Sequence, residues 1–276
     1  MNESPLPFFA TGDDPGASFV DLLRRVAPER VPGAVGGGAT GVATGDAPFE
    51  VTHGTTIVAI RYADGVVMAG DRRATAGSLI ASRRIEKVFP ADDFSGVAIA
   101  GAAGPAVELV RLFQVQLEHY EKIEGEILSL EGKANQLAGL VRANLPAAMQ
   151  GFVVVPLFAG FDARRGRGRV FSYDATGGKY EEADFQATGS GGIHARNWIK
   201  ATWQEGMTRD EAVDLALRAL FAAADEDSAT GGPDLVRRIF PVVATIDEQG
   251  YAALGDDEVG ARAEALIGGR EEGAGL

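Results

Sequence analysis

The sequence predicts an α+β fold built as a four-layer αββα sandwich, in which two stacked antiparallel sheets are flanked by pairs of helices. Strand and helix patterns occur as groups, in the order strands, two helices, strands, two helices, strands. Two consecutive helices between strands do not fit an alternating parallel βαβ layout, whereas they do fit helices stacked on an antiparallel sheet. Asp64-Gly65, between two apolar runs, is a strong hairpin signal and indicates antiparallel pairing.

The first half of the domain reads as short strands followed by two helices. β-branched and small apolar residues predict strands at Thr56–Tyr62, Val66–Gly70, Ser78–Ser82, Ile85–Phe89 and Ser95–Ala100. We expect Ser78–Ser82 and Ile85–Phe89 to pair with each other. Pro105 is placed to begin a helix that continues to Tyr120 with apolar residues at helical spacing, and a second helix follows over Leu128–Met149.

The second half repeats this order and ends in an acidic segment. Strands are predicted at Phe152–Asp162, Arg169–Asp174 and Tyr180–Gln186. A helix follows Gly189-Ser190-Gly191-Gly192, and Thr208 begins another through a capping-box pattern with Glu211. A last hairpin joins Ile239–Ile246 to Tyr251–Leu254. Residues 255–276 are acidic and rich in glycine, and we expect them to be mostly mobile.

Residues 1–54 differ from the rest of the chain in composition. They contain nine of the 37 glycines and six of the twelve prolines, and cannot bury enough surface to offset the entropy of ordering them. One piece, Ser18–Val26, has helical spacing. The sequence therefore predicts a tail over residues 1–54 and a single domain over residues 55–276.

Composition excludes several classes of function. The chain has no cysteine, which excludes disulfides, thiol catalysis and cysteine-ligated zinc. It has three histidines, so a multi-histidine metal site is improbable. A net charge of -13 does not suit nucleic-acid binding. No apolar run reaches the length of a membrane span and no secretion signal precedes the tail, so the cytoplasm is the expected location.

The junction between tail and domain suggests a nucleophile. If the bond between Gly54 and Thr55 is cut, Thr55 gains a free α-amine beside its own hydroxyl. An α-amine has a pKa of about 7.7–8.0 and can accept a proton near neutral pH, so one residue then holds both nucleophile and base. The same residues also fit an ordinary loop that enters a strand, and this stretch by itself does not decide between the two.

Several motifs in order carry a resemblance to a known family. They are Gly54-Thr55-Thr56, Asp71-Arg72-Arg73-Ala74-Thr75, Lys87, Gly101-Ala102-Ala103-Gly104, Gly189-Ser190-Gly191 and Asp227-Ser228-Ala229-Thr230-Gly231. Together they resemble the β subunits of 20S proteasomes of the actinobacterial type, over about Thr55 to Leu254. Each motif is weak alone, but the ordered set is specific. The resemblance implies an N-terminal-nucleophile hydrolase fold and a threonine endopeptidase whose propeptide, residues 1–54, is removed by autocatalysis.

The resemblance also implies catalytic roles. Thr55 corresponds to the nucleophile, Lys87 to the ammonium that favours its alkoxide, and Asp71 to the partner that a buried ammonium needs. Gly101 corresponds to the donor for the oxyanion, where the absence of a side chain lets the substrate approach. Around the α-amine the resemblance places three polar residues, Ser190, Asp227 and Thr230. Many relatives have serine at the last of these positions, so only a hydroxyl role is carried over there.

Substrate-binding residues follow from the same resemblance. Thr75 and Ala103 correspond to residues that pair with the peptide backbone of the substrate. The first specificity pocket corresponds to four apolar positions, Ala74, Ile85, Phe89 and Ile99, which predicts cleavage after hydrophobic residues. Core packing would select the same residue types, so the resemblance and not the composition supports this assignment. The proposed chemistry needs no metal, nucleotide or organic cofactor.

The family implies an assembly and leaves alternatives open. The expected partners are seven β subunits per ring, stacked with α rings into a four-ring barrel, an ATP-dependent ring-shaped unfoldase and substrates tagged with a small protein modifier. One alternative is a two-ring threonine peptidase of the same superfamily, against which the long tail argues. Others are a ring subunit without catalytic activity and an amidohydrolase of small substrates.

Overall fold

The computed structural model describes residues 54–273, with side-chain surroundings through residue 268. The predicted tail, its helical piece at Ser18–Val26 and residues 274–276 lie outside the described residues, apart from Gly54. Within the described part the chain forms twelve strands and six helices.

Three groups of strands precede, separate and follow the helices. The strands are β1 (Thr56–Tyr62), β2 (Gly65–Gly70), β3 (Ala74–Ala76), β4 (Leu79–Ser82), β5 (Val88–Asp92), β6 (Ser95–Gly101), β7 (Val154–Asp162), β8 (Arg167–Tyr173), β9 (Lys179–Glu182), β10 (Phe185–Gly189), β11 (Val242–Asp247) and β12 (Gly250–Ala253). The helices are α1 (Ala103–Glu124), α2 (Leu130–Ala143), α3 (Leu145–Ala148), α4 (Gly192–Thr202), α5 (Arg209–Glu226) and α6 (Asp256–Gly273).

Two five-stranded sheets form the centre of the domain, and the predicted sandwich is confirmed. The first sheet has the order β10-β1-β2-β11-β12, the second has the order β5-β6-β7-β8-β9, and every strand pairing in these two sheets is antiparallel. The helices α1 and α2 pack on the second sheet, whereas α4, α5 and α6 pack on the first. A third apolar cluster lies between the sheets.

The strand β1 shows why the central strands read as continuous apolar runs. Ile57 and Ala59 lie in the cluster between the two sheets. Val58 and Ile60 alternate with them and lie in the cluster beneath the helices. Because successive side chains of a strand point to opposite faces, a strand covered on both faces needs apolar residues at every position. This strand therefore places its first residue, and Thr55 before it, at the edge of a rigid core.

The predicted pairing of Ser78–Ser82 with Ile85–Phe89 is wrong. β4 instead folds back on β3 across a tight turn at Gly77, whose φ of 57° suits glycine. β5 begins only at Val88 and pairs with β6. Lys87 therefore lies in the connection before β5, and not within a strand as the sequence indicated.

The single strand predicted at Tyr180–Gln186 is two strands in different sheets. β9 pairs with β8 in the second sheet, and β10 pairs with β1 in the first. The chain crosses between the sheets near Asp184, whose carboxylate accepts a hydrogen bond from the Arg61 guanidinium at 2.6 Å. A run of strand-forming residues does not reveal such a crossing, because each half satisfies the same local pattern.

The expectation of a mobile segment from residue 255 onward is also wrong for Asp256–Gly273, which forms α6. Val259 and Ala263, one turn apart, are buried against the first sheet and its helices. Arg262 donates to the carboxylates of Asp210 and Asp214 on α5, at 2.6 and 2.9 Å. Burial of this apolar stripe and these ion pairs stabilise a helix that the glycine-rich composition disfavours.

Candidate active site

Thr55 lies directly before β1 and is almost completely buried, with 5% of its surface exposed. Its hydroxyl donates to the carbonyl oxygen of Gly54, with 2.7 Å between the two oxygens. Its backbone N–H donates to the Ser190 hydroxyl at 3.2 Å. The side chain thus contacts the peptide bond whose cleavage would release its own nitrogen as an amine.

Lys87 reaches the same carbonyl group from the other side. Its ammonium donates to Asp71 Oδ1 at 2.6 Å, to the backbone oxygen of Arg73 at 2.6 Å and to the oxygen of Gly54 at 3.4 Å. Both Lys87 and Asp71 are buried, at 3% and 0% exposure. The pair therefore brings a positive charge to the carbonyl oxygen that the Thr55 hydroxyl also contacts.

Asp71 holds its position through backbone hydrogen bonds as well as through the lysine. It follows β2, and its carboxylate accepts from the N–H groups of Thr56 at 2.8 Å, Arg73 at 2.8 Å and Gly231 at 2.9 Å. Such donors stabilise a buried carboxylate in its ionised form. The sequence suggested the pairing of Asp71 with Lys87, and the structure confirms that these side chains meet.

The surroundings of Lys87 oppose its charge. Burial lowers the pKa of the Lys87 ammonium from its ordinary value of 10.5, and the neighbouring carboxylate of Asp71 partly offsets this effect. Removing an ammonium from water disfavours its charged form, whereas a nearby anion favours it. The positive charge of Lys87 is therefore opposed by burial and favoured by the carboxylate of Asp71.

A second polar group lies at the nitrogen of Thr55. Ser190 follows β10, and its hydroxyl donates to Asp227 Oδ2 at 2.5 Å. The Thr230 hydroxyl donates to the same carboxylate oxygen at 2.6 Å. Burial raises the pKa of Asp227, but hydrogen bonds from Ser190, Thr230 and the N–H of Ala229 outweigh it, so the net shift is downward. This carboxylate therefore stays ionised and orients the hydroxyl that contacts the nitrogen.

Two glycines make close approaches at the site. Gly101 ends β6 with a φ of 107°, and a Cβ there would overlap the carbonyl oxygen of Val153. A Cβ at Gly54 would overlap both the side chain and the backbone of Ala229. Gly101 borders the same groove as Thr55. Its missing side chain therefore avoids a clash with the backbone of Val153.

The groove beside Thr55 contains most of the predicted pocket residues. Ala74, Ile85, Ile99 and Ala103 line it together with Gly101. Its exposed lining is mainly apolar, which suits a hydrophobic side chain.

Three further lining residues were missed by the sequence reasoning: Glu86, Ala106 and Val107. Glu86 lies immediately before Lys87, and the other two lie one turn into α1 after Ala103. Because helix residues three and four apart share a face, the predicted helix start could have indicated Ala106 and Val107.

Phe89 was expected in this pocket, and the structure places it elsewhere. It does not line the groove, and its side chain packs against the apolar cluster between the second sheet and the helices α1 and α2. Phe89 lies on β5 and is partly buried. Thr75, by contrast, lies at the site, where its hydroxyl accepts a hydrogen bond from the N–H of Gly54 at 3.2 Å.

Residues 54–273 contain neither a candidate metal site nor a helix that could span a membrane. Among these residues, no group of histidine, aspartate and glutamate side chains is arranged to hold a metal ion. None of the helices in this part of the chain has the length and apolar composition needed to cross a bilayer.

Comparisons with known proteins identify the family of the chain. Residues 51–236 match the family model described as "Proteasome subunit". A protein of Acidimicrobium ferrooxidans named "Proteasome subunit beta" is 57% identical over 272 residues, covering 98% of this chain and 96% of that protein. A protein of Streptomyces griseus with the same name is 51% identical over 268 residues, covering 97% of this chain and 92% of its own length. The chain therefore belongs to the proteasome subunit family.

Proposed function

We propose that this chain is the catalytic β subunit of a proteasome core and acts as a threonine endopeptidase, with Thr55 as its nucleophile. Its relatives carry the name of a proteasome β subunit at identities above 50% and over nearly their full length. The observation that carries the proposal is the position of the Thr55 hydroxyl, 2.7 Å from the oxygen of Gly54. Lys87 contacts the same oxygen at 3.4 Å.

Self-cleavage follows from these contacts. The oxygen of Thr55 attacks the carbonyl carbon of Gly54, and its proton passes to the nitrogen that leaves. The product is an ester between the two residues with a free amine on Thr55. Water then hydrolyses the ester, leaving a carboxylate on Gly54 and regenerating the hydroxyl. The Lys87 ammonium stabilises the negative charge that develops on the carbonyl oxygen during the attack.

Peptide hydrolysis reuses the same groups. The freed amine of Thr55, directly or through a water molecule, accepts the hydroxyl proton as the oxygen attacks the substrate carbonyl, and later delivers a proton to the leaving amine. Lys87 lowers the pKa of the hydroxyl, and Asp71 holds Lys87. The backbone N–H of Gly101 donates to the oxyanion. Ser190, with Asp227 and Thr230, orients the amine.

The groove supports a proposal for substrate binding. Ala74, Ile85 and Ile99 form an apolar pocket next to Thr55, so cleavage follows hydrophobic residues. Thr75 and Ala103 pair with the substrate backbone on either side of this pocket. Phe89 is left out of this pocket, because it is not among the residues that line the groove.

The assembly follows from family membership, and its details belong to the proposal. A proteasome β subunit assembles with other subunits into the core particle. We infer seven copies per ring, outer α rings and an ATP-dependent unfoldase that delivers tagged substrates. Because the site is inert while the Thr55 nitrogen is an amide, removal of residues 1–54 during assembly would confine proteolysis to the closed chamber.

The proposal is tested by the N-terminus of the subunit after co-expression with an α-type partner. Intact mass and N-terminal sequencing should show that the chain begins at Thr55. Thr55→Ala should leave residues 1–54 attached and abolish peptidase activity, whereas Thr55→Ser keeps a hydroxyl and should still be cut. An uncut wild-type chain in a fully assembled particle would favour a ring subunit without catalytic activity.

A further inference from the structure

Thr56, the residue after the proposed nucleophile, makes polar contacts that the proposed mechanism does not use. It begins β1 and is fully buried. Its hydroxyl lies 2.6 Å from the hydroxyl of Thr230 and accepts a hydrogen bond from the N–H of Gly191 at 3.1 Å. Its own N–H donates to Asp71 at 2.8 Å. Thr56 thus contacts both polar groups of the site.

The direction of the bond between the two hydroxyls follows from counting protons. The ionised carboxylate of Asp227 can only accept, so the single proton of the Thr230 hydroxyl is used in the bond to Asp227. The hydroxyl oxygen of Thr230 must then accept from Thr56. The Thr56 oxygen in turn accepts from Gly191, which leaves its proton free for this donation.

The result is a directed chain of hydrogen bonds that ends near the Thr55 nitrogen. It runs from the N–H of Gly191 through Thr56 and Thr230 to the carboxylate of Asp227. Ser190 donates to the same carboxylate oxygen at 2.5 Å, and its oxygen accepts from the nitrogen of Thr55. Each hydroxyl that accepts a hydrogen bond becomes a stronger donor. The strength of the bond from Thr230 to Asp227 therefore depends on the bonds from Gly191 to Thr56 and from Thr56 to Thr230.

We infer that Thr56 is a positioning residue for the proposed reaction, acting through Thr230 and Asp227 on the Ser190 hydroxyl that contacts the Thr55 nitrogen. The inference rests on the proposed function, because it concerns the amine that self-cleavage releases. Thr56 has no contact with the reacting groups through its side chain, so it acts only through the chain of hydroxyls. Its backbone bond to Asp71 also ties this chain to the Lys87 side of the site.

Thr56 is tightly packed, so its side chain could matter for packing alone, and this role has to be tested separately from hydrogen bonding. A Cβ at Gly191 would lie 2.5 Å from the Thr56 hydroxyl oxygen and 2.6 Å from that of Thr230, so the group is closely packed. Thr56→Val keeps the shape of the side chain and removes the donor, whereas Thr56→Ser keeps the donor and removes a methyl group. The two variants therefore separate hydrogen bonding from packing.

The test measures peptide hydrolysis and the N-terminus of assembled particles. A buried donor left unpaired costs about 1–3 kcal/mol, which corresponds to about a ten- to hundredfold change in rate. We expect Thr56→Val to lower kcat by about this factor with little change in KM, and to slow cleavage before Thr55. The acid limb of kcat/KM should move to higher pH. The reason is that Thr230, no longer polarised by Thr56, donates more weakly to Asp227, which then attracts the Ser190 proton more strongly. The Ser190 oxygen then stabilises the protonated amine.

The matched control is Thr245→Val, which removes the hydroxyl of another buried threonine in the same sheet. The Thr245 hydroxyl accepts from the guanidinium of Arg209 and, within the described residues, makes no hydrogen bond to the site. This variant should keep the kcat and pH profile of the wild-type protein, and Thr56→Ser should restore both. If Thr56→Val does not assemble, Thr56→Ala is expected to show the same lower kcat and shifted acid limb.

Two outcomes overturn the inference while leaving the proposed function intact. One is a Thr56→Val particle with wild-type kcat and pH profile. The other is a Thr56→Ser particle as impaired as Thr56→Val, because the methyl group and not the hydroxyl would then matter. A wild-type chain that remains uncut and inactive overturns the proposed function, and this inference with it.

Discussion

Two lysines of this domain are equally buried, and only one of them lies at the candidate active site. Lys87 and Lys133 are each 3% exposed, and each pairs with an aspartate, Asp71 and Asp92 respectively. Residue type and local pattern do not distinguish the two pairs, and only the resemblance to a known family singled out Lys87 and Asp71. The difference between the two pairs lies in what surrounds them.

The ion pair of Lys87 and Asp71 lies next to groups that can react, the carbonyl of Gly54 and the hydroxyl of Thr55. The Lys87 ammonium contacts the carbonyl oxygen of Gly54, which the Thr55 hydroxyl also contacts. Asp71 is completely buried and accepts three backbone N–H groups besides the lysine. A buried ion pair is weak evidence for function by itself. The hydroxyl next to it makes this pair a candidate for catalysis.

The pair around Lys133 differs in its neighbour, because the hydroxyl beside it, that of Ser95, donates to Asp92 and not to a peptide carbonyl. Lys133 lies on α2 and borders an open cavity of about 600 Å³. Asp92 is partly exposed and accepts from the hydroxyl and N–H groups of its own turn, Ser95 and Phe94. This pair fastens α2 to the turn between β5 and β6. We interpret it as structural, and the two lysines therefore form a natural control for each other.

Replacing each lysine by methionine should give the largest contrast. Lys87→Met removes the charge beside the nucleophile, and we expect kcat to fall by about 10²–10⁴-fold. Lys133→Met should leave kcat within about threefold, while breaking a buried pair lowers the free energy of unfolding by about 3–5 kcal/mol. Peptidase assays on assembled particles and urea unfolding measure the two effects. Equal losses of activity in both variants would remove the distinction between the pairs.

The carbonyl group of Gly54 distinguishes the surroundings of Lys87 from those of Lys133, and a substitution at Gly54 tests its importance. Gly54→Ala should slow cleavage before Thr55 by at least about tenfold, because the new Cβ overlaps Ala229 and displaces the carbonyl from Lys87. Ala229→Gly should restore little of the rate, since the backbone of Ala229 also lies within 2.7 Å of that Cβ. Intact mass over time after assembly follows the cut. Rapid cleavage of Gly54→Ala would show that this close approach is dispensable.

The pH dependence of activity tests whether the Lys87 ammonium is required. Because burial lowers its pKa from 10.5, Lys87 loses its proton at a lower pH than an ordinary lysine, and kcat should fall on an alkaline limb below pH 10.5. In that range the unfolded chain binds more protons than the native chain, so this group makes the unfolding free energy rise with pH. Loss of activity without loss of stability is therefore expected. Parallel unfolding curves check this, and a limb that coincides with unfolding would contradict it.

The smallest expected effect is on substrate preference and concerns the groove beside Thr55. Of the two lysines compared above, Lys87 borders this groove and Lys133 does not. Val107 lines it and Phe89 does not. Val107→Ala should enlarge the pocket and change the ratio of kcat/KM for peptides with phenylalanine or leucine before the cut by about tenfold. Phe89→Leu should leave this ratio within about twofold, since Phe89 does not line the groove, and should lower stability instead, since its partly buried side chain packs against a core cluster. The opposite order of effects would return Phe89 to the specificity pocket.

The sequence indicated which residues form the candidate site better than it indicated which contacts they make. The order of the motifs pointed to Thr55, Asp71 and Lys87, and the structure brings these three together. The Ser190 hydroxyl contacts the nitrogen of Thr55, whereas that of Thr230 contacts Asp227 and Thr56. Thr56 was passed over as part of a strand. Nothing in a β-branched residue at a strand start indicates that its hydroxyl donates to a residue 174 positions away.

The sequence by itself determined the layers of the fold and most of its local structure. Continuous apolar runs such as β1 indicate strands covered on both faces, and the Thr208–Glu211 capping box begins α5 as predicted. These features depend on neighbours within a few residues, so they can be read along the chain.

Tertiary structure decided what depends on distant neighbours. The apolar stripe of α6 became a helix because the first sheet and its helices bury it, although the glycine-rich composition pointed to mobility. The position of β5 placed Lys87 at Asp71 and packed Phe89 against the apolar cluster beneath α1 and α2. Hydrogen bonds and burial act between groups brought together in space, and their free energies do not appear in any local pattern of residues.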